Sequence, residues 1–234
     1  MSVTAGIHPV REALRAGRPL DKVVIAEGAA GPRLQEIIAL CRERGVPVRF
    51  EPREALDRLS KTAAHQGVLA FGSAHQYADL LDIPDARLLV VLDGVEDPHN
   101  LGAIIRTAYA AGADAVVVPE RRNAPLTEVV ARAAAGALEH LPIVRVTNIA
   151  QTLQQLKKTG FWIYGLDERG PELYDQVTFN TPTALVFGAE GRGLRPNVQT
   201  HCDALVRIPI HGAVSSLNVS VAAGITLFEW RRRQ

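Results

Sequence analysis

Six short apolar runs in the last two thirds of the chain limit what it can fold into: 88–92 (LLVVL), 115–118, 143–146, 162–164, 184–187 and 205–208. They do not alternate and are interrupted only by Arg145 and Arg207, as expected of strands covered on both faces. Between them, apolar residues recur at helical spacing over 101–111, 126–138, 149–158 and 217–231. Strand–helix alternation of this kind predicts an α/β fold with a parallel sheet and helices on both sides. Ligands in such sheets sit beyond the carboxyl ends of the strands. The first 72 residues read as a separate, smaller α/β unit. Its expected helices lie at 9–16, 34–44 and 53–59 and its strands at 23–26, 46–50 and 68–71, too few for a doubly wound sheet. Residues 73–87, with His, Gln, Asp and Pro, read as a linker. The expected division is therefore 1–72, 73–87 and 88–234.

Composition narrows the function classes. Hydrophobic residues make up 47% of the 234, enough for a packed core and far from a disordered composition. No apolar run approaches the roughly 20 residues needed to cross a bilayer. The N-terminus lacks the basic and apolar regions of a signal peptide. Cys41 and Cys202 are the only cysteines and form no CxxC pair, so a disulfide scaffold or cysteine zinc site is not expected, and a reducing cytoplasm fits. The net charge is +1, with 11 Lys and Arg against 8 Asp and Glu through Gly72 and 15 against 17 beyond it. Nucleic-acid contacts would have to be made by local patches.

Three segments carry candidate chemistry, each after an expected strand. In the first, residues 93–108 (DGVEDPHNLGAIIRTA), Asn100 is placed to cap a helix. Leu101, Ile104, Ile105 and Ala108 form its apolar stripe, and Gly112 is placed to end it. Arg106 lies off that stripe. Spacing alone favours a solvated Arg106 and an Asn100 that only caps. The second, residues 188–194 (GAEGRGL), puts Glu190 between glycines in a turn that allows close backbone approach to a ligand but does not fit GxGxxG. In the third, a Pro/Gly loop (IPIHG) precedes residues 215–222 (SSLNVSVA), with Ser216 and Asn218 where a helix should start. They suit capping as well as ligand contact. Leu217, Val221, Gly224, Ile225 and Phe228 give that helix an expected packing face, Gly224 allowing close helix approach. Arg231 to Arg233 suit the negative end of its dipole. His201, Cys202, Asp203 and His211 match no standard zinc spacing, so no metal site is expected. Ser215 and Ser216 lack a nucleophile elbow, and His99 beside Asp97 reads as turn and cap more readily than as a catalytic pair.

In this order, the three segments resemble the motif set of the SpoU (TrmH-type) branch of SPOUT RNA 2'-O-methyltransferases, from about Leu88 to Trp230. Residues 6–14 (GIHPVREAL) resemble the start of the RNA-binding domain of the RlmB-type subgroup, a domain similar to ribosomal protein L30e. There Arg11, Arg15, Arg18 and Lys22 form a candidate phosphate-contacting strip. The resemblance implies a C-terminal SPOUT parallel-sheet domain with a trefoil knot and a small N-terminal L30e-like α/β domain. It further implies S-adenosylmethionine as methyl donor, a ribose 2'-hydroxyl as acceptor, and a homodimer in which the arginine reaches across from the second subunit. The matching catalytic residues are Asn100, Arg106, Glu190, Ser216 and Asn218. Backbone groups at Gly188, Ile208 and Leu217, together with Asn218, would hold the donor. A guanidinium is effectively always charged, so Arg106 is expected to stabilise a developing alkoxide and not to act as base. The implied substrate is a guanosine ribose in large-subunit (23S) ribosomal RNA, free or in an assembling particle. The alternatives are a transfer RNA, another rRNA target, or a non-catalytic RNA-binding assembly factor.

Overall fold

The computed structural model describes residues 2–60, 65–72, 75–214 and 216–234. In chain order the elements are β1 (Ser2–Ala5), α1 (Ile7–Arg15), β2 (Leu20–Ala26), α2 (Pro32–Glu43), β3 (Val48–Glu51), α3 (Arg53–Leu59), β4 (Val68–Gly72), β5 (Leu88–Asp93), α4 (Pro98–Ala111) and β6 (Ala115–Pro119). They continue with α5 (Glu128–Ala133), β7 (Ile143–Val146), α6 (Ile149–Lys158), β8 (Trp162–Leu166), β9 (Glu172–Leu173), β10 (Thr183–Gly188), α7 (Pro196–Gln199), β11 (Ala204–Arg207) and α8 (Val219–Arg232). The chain divides into two units, 1–76 with 126–140, and 77–125 with 141–234.

The first unit holds, among the described residues, a four-stranded mixed sheet in the order β1-β4-β2-β3. Alternate residues of β2 and β4 go to opposite faces, as a pleated strand requires. Val23, Ile25, Val68 and Ala70 pack with Val10, Leu14, Ile37 and Cys41, while Val24, Leu69 and Phe71 pack with Leu56. β1 is not expected from sequence; it pairs antiparallel with β4, Ser2 opposite Gly72.

Apolar spacing over 126–138 predicts a single helix flanking the C-terminal sheet. Instead α5 ends at Ala133, Ala135 and Gly136 take positive φ, and a 3-10 turn follows over Ala137–Glu139. A Cβ on Gly136 would lie 2.4 Å from Glu12 Cγ, so only glycine fits there. Around it Arg18 donates to Glu139 Oε1 at 2.9 Å and to Thr4 Oγ1 at 2.9 Å. His140 Nε2 lies 3.0 Å from Glu12 Oε2. The residues of the expected phosphate strip all have partners within this unit. Arg11 and Arg15 both pair with Glu12 and Glu36, the Arg18 side chain is only 8% exposed, and Lys22 sits over the Phe71 ring.

The second unit holds a seven-stranded sheet, among the described residues, in the order β7-β6-β5-β10-β8-β11-β9. Every pairing is parallel. The six expected strands are all present. β9, two residues long, carries no periodicity and is not expected from sequence. The run β5, β6, β7 proceeds outward in one direction, and β10 then inserts between β5 and β8. The switch in direction lies between β5 and β10, where loops diverge at the carboxyl ends and leave a crevice. Two of the three chemical segments start at those two strand ends. No helix among the described residues is long and apolar enough to cross a membrane.

Candidate active site

The start of α4 decides what Asn100 is free to do. The cap is Asp97 and not Asn100: its carboxylate accepts from the backbone N–H of His99 at 3.1 Å and of Asn100 at 3.3 Å, with Pro98 in the first turn. Asn100 is thus a helical residue, 8% exposed, whose amide points elsewhere. Leu101, Ile104, Ile105 and Ala108 are fully buried, and Gly112 ends the helix at φ 78°, as expected.

β10 delivers the second segment. Gly188 ends the strand, and the chain folds back tightly. Ala189 N–H donates to Gly193 O at 3.1 Å and Gly193 N–H to Ala189 O at 2.9 Å. A Cβ on Gly188 would meet the Gly193 carbonyl carbon at 2.1 Å. The glycine is therefore required by backbone approach.

The third segment supplies Asn218, which is the N-cap of α8, its Oδ1 accepting from Ser220 N–H at 2.9 Å. Its Nδ2 donates to Asn100 Oδ1 at 3.0 Å and to Glu190 Oε1 at 3.2 Å. Asn100 Nδ2 donates to Glu190 Oε2 at 3.0 Å. An ionised carboxylate only accepts, so Glu190 dictates that both amides turn their NH2 groups towards it. Asn218 therefore caps the helix with one end and bonds the site with the other. Residues 90 and 118 positions apart close into one network.

Beside this junction lies a cleft of about 390 Å³ lined by Gly188, Glu190, Ile208, Ser216 and Leu217, with Phe187 and Val206 among its apolar walls. Of the expected donor-binding positions, Gly188, Ile208 and Leu217 line this cavity, and Asn218 reaches it only through its bond to Glu190. Its size falls in the usual range for small-molecule sites, roughly 300–1,000 Å³. Apolar strand ends on its walls suit a nucleoside, and the Glu190 carboxylate at its rim suits a positively charged ligand. Ser216 is exposed at the wall. Ser215 lies outside the described residues.

Arg106 is not brought to this cleft within the chain. It is exposed on α4 and, among the described residues, has no hydrogen-bond or ion-pair partner. The expected packing face of α8 is also corrected. Val219, Ala223, Thr226, Leu227 and Trp230 are buried, whereas Val221 and Phe228 are about half exposed. This helix is apolar on two faces, and only one meets the core. A Cβ on Gly224 would touch only Thr107 Cγ2 at 3.6 Å, an ordinary contact, so helix approach does not require that glycine.

Asp167, a cleft residue directly after β8, is not among the residues expected from sequence. Its buried carboxylate accepts from Arg169 Nε at 3.0 Å and Gln199 Nε2 at 2.8 Å. The Arg169 hydrogen bonds hold its pKa below the usual aspartate value. An acidic residue directly after an apolar run is its available signal. His201 bonds Gln154 and the Asn197 carbonyl, and no group of three metal-ligating side chains occurs among the described residues.

Two family models match this chain: the SpoU rRNA methylase family over residues 87–228 and the RNA 2'-O ribose methyltransferase substrate-binding domain over residues 5–78. YacO of Bacillus subtilis, placed in the TrmH family of tRNA/rRNA methyltransferases, is 42% identical over 98% of this chain and 94% of its own. The AdoMet-bound rRNA methyltransferase of Sinorhizobium meliloti superposes with a TM-score of 0.84 at 30% identity, over 99% of this chain and 87% of that one. The TrmH/SpoU tRNA-modifying enzyme of A. aeolicus aligns over only 62% of this chain and 74% of its own, with a TM-score of 0.56 at 34% identity. With a methylase and a substrate-binding match in the order found here, and a relative this similar along nearly its whole length, the chain belongs to the SpoU (TrmH-type) family of RNA 2'-O-ribose methyltransferases.

Proposed function

We propose that this protein methylates the 2'-hydroxyl of a guanosine in 23S ribosomal RNA, free or in an assembling large subunit, using S-adenosylmethionine in the cytoplasm. The observation that carries the reading is the Asn100–Glu190–Asn218 junction, whose Glu190 lines the cleft. Bound S-adenosylmethionine supplies a methyl group already activated by its sulfonium. The protein's work is then to orient the reactants, exclude water and assist a weak nucleophile. Backbone groups at Gly188, Ile208 and Leu217, with Asn218, hold the donor. Glu190 fixes the amides of Asn100 and Asn218, and its negative charge favours a cationic ligand. Ser216 offers a hydroxyl to the ribose. Arg106 stays protonated and stabilises the negative charge developing on the 2'-oxygen, while the proton leaves to solvent.

Arg106 does this at the cleft of a second copy. Arg106, Tyr109 and Ala110 lie at i, i+3 and i+4 on the exposed side of α4. The neighbouring α8, which packs against α4, exposes Val221 and Phe228. A charged residue beside an uncovered apolar stripe on packed helices supports a homodimer through this face. We further propose that 88–234 is the catalytic domain, threaded as a trefoil knot, that 1–72 is an L30e-like RNA-binding domain, and that 73–87 links them; Ser73 and Ala74 lie outside the described residues. The full-length likeness to an rRNA enzyme, against the partial likeness to a tRNA enzyme, favours ribosomal RNA.

The test is transfer of labelled methyl from S-adenosylmethionine to purified 23S rRNA, to large-subunit assembly intermediates and to bulk tRNA, followed by nucleoside identification. The expected product is 2'-O-methylguanosine in rRNA or its assembling particle only. Label confined to tRNA overturns the substrate assignment, and failure to bind the donor overturns the enzymatic reading.

A further inference from the structure

Asp93, the last residue of β5, is 1% exposed. A carboxylate at that depth must be compensated. Among the described residues, the three bonds it accepts all come from Arg195. Oδ2 takes the backbone N–H at 3.1 Å, and Oδ1 takes Nε at 2.7 Å and also the Nη2 group. The Arg195 side chain is about half exposed, at 47%.

The placement of this pair relates it to the active site. Asp93 lies in register with Gly188 on the adjacent strand β10. The glycine-rich loop therefore leaves the sheet beside Asp93 and returns to Asp93 through Arg195. Asp93 thus stands at both feet of the loop that carries Glu190, through strand pairing beside Gly188 and through its carboxylate at Arg195. Asp93 also begins the segment leading to Asn100. Both partners of the Asn100–Glu190 hydrogen bond are thus referenced to the same buried group, seven residues before one and, through Arg195, five residues after the other. Arg195 also precedes α7, but a helix of four residues gives no reason for a three-bond clamp to a strand end.

We propose that Asp93 and Arg195 are a positioning pair for methyl transfer, locking the 189–194 loop to the end of β5 so that Glu190 holds Asn100 and Asn218 at the donor cleft. This rests on the enzymatic reading above for its consequence, though not for its geometry. Neither residue touches the reactants. The pair acts through the loop.

Asp93→Asn and Arg195→Lys test it, with two readouts. The first needs no ligand: hydrogen exchange of a peptide spanning 189–195, with peptides from β5 and β10 as internal controls. In both variants exchange in the loop should rise at least tenfold while the strands stay protected. The second is S-adenosylhomocysteine affinity by calorimetry together with the transfer rate. Affinity should weaken at least tenfold in Asp93→Asn, and adding Glu190→Ala to that variant should lower the rate little further, because both changes disable the same loop. Wild-type exchange in the loop of both variants overturns the proposal, as do losses from Asp93→Asn and Glu190→Ala that multiply. If Asp93→Asn does not fold, Arg195→Lys carries the test, since its side chain is half exposed. If the wild type binds no donor product, the enzymatic reading falls, and the exchange experiment still decides whether the pair fastens the loop.

Discussion

Replacing Gly188 by alanine should weaken donor binding and methyl transfer without unfolding the protein. The added Cβ would lie 2.1 Å from the Gly193 carbonyl carbon, 2.2 Å from its oxygen and 2.4 Å from Leu194 N. Ordinary carbon–carbon contact is about 3.5 Å, so the facing backbone must retreat by roughly 1.4 Å. All three atoms are main chain, and no rotamer change relieves them. β10 is fixed between β5 and β8, whereas the loop over 189–193 is closed mainly by its own hydrogen bonds, so the loop is what yields. Overpacking of this kind costs about 1–3 kcal/mol, a loss a domain with roughly 5–15 kcal/mol of stability survives. A displacement of about 1 Å at a reacting centre costs on the order of a hundredfold in rate, and Glu190 rides on the segment displaced. Calorimetric titration with S-adenosylhomocysteine, paired with urea denaturation, separates the two effects. The expected result is a folded protein with weakened donor affinity and a methyl-transfer rate lower by about two orders of magnitude. Wild-type affinity in a folded Gly188→Ala variant would refute the reasoning, because the loop would then have moved without consequence for the site.

Three further outcomes are expected. Asn218→Ser keeps an oxygen able to cap α8 and removes the amide that bonds Asn100 and Glu190; its unfolding free energy should stay within about 1 kcal/mol of wild type, while methyl transfer falls at least tenfold. Arg106→Ala and Glu190→Ala should each be inactive as homodimers, yet an equimolar mixture refolded together should recover about a quarter of wild-type activity, since half the dimers then carry one intact site; no recovery would place Arg106 on its own subunit's cleft. Burial, with the Arg18 charge beside it, pushes His75 down from 6.5 to about 4, so between those values the unfolded chain binds a proton that the folded one refuses. Stability measured by urea denaturation should therefore fall as pH drops from 6.5 to about 4 and owe nothing more to this group below that; His75→Gln should flatten that part of the profile.

The strands of the second unit are legible in the sequence because a parallel sheet covered by helices needs apolar residues at every position, and runs such as 88–92 and 184–187 suit little else. β1 and β9 are not, since four and two residues leave no pattern to read and their existence depends on partners distant in sequence. Helix α4 can be found from its apolar stripe, but its cap cannot. Asp97 and Asn100 are both good capping residues, and only the fold reveals that Glu190 has a use for the second amide. The stripe on α8 misleads for a related reason. Two apolar faces run along that helix, and periodicity does not say which one meets the core. Arg18 looks like a surface cation because its partner Glu139 lies more than a hundred residues away. The motif residues can be identified by their types and order; their hydrogen-bonded closure, and the Asp93–Arg195 pair behind it, emerge only once β5 and β10 stand side by side.

That adjacency has a cost during synthesis. The innermost strand pair joins Leu88 to Thr183, so when β5, β6 and β7 have left the ribosome, one edge of the apolar run 88–92 still has no neighbour. At about 5–20 residues per second, the missing strand arrives roughly 2 to 8 seconds later. Through that interval the nascent chain presents an open, hydrophobic sheet edge of the kind that invites pairing with another chain. Protection of that edge while the remaining third is translated, by a chaperone or by the ribosome surface, should therefore limit the yield of active protein more than the stability of the finished fold does.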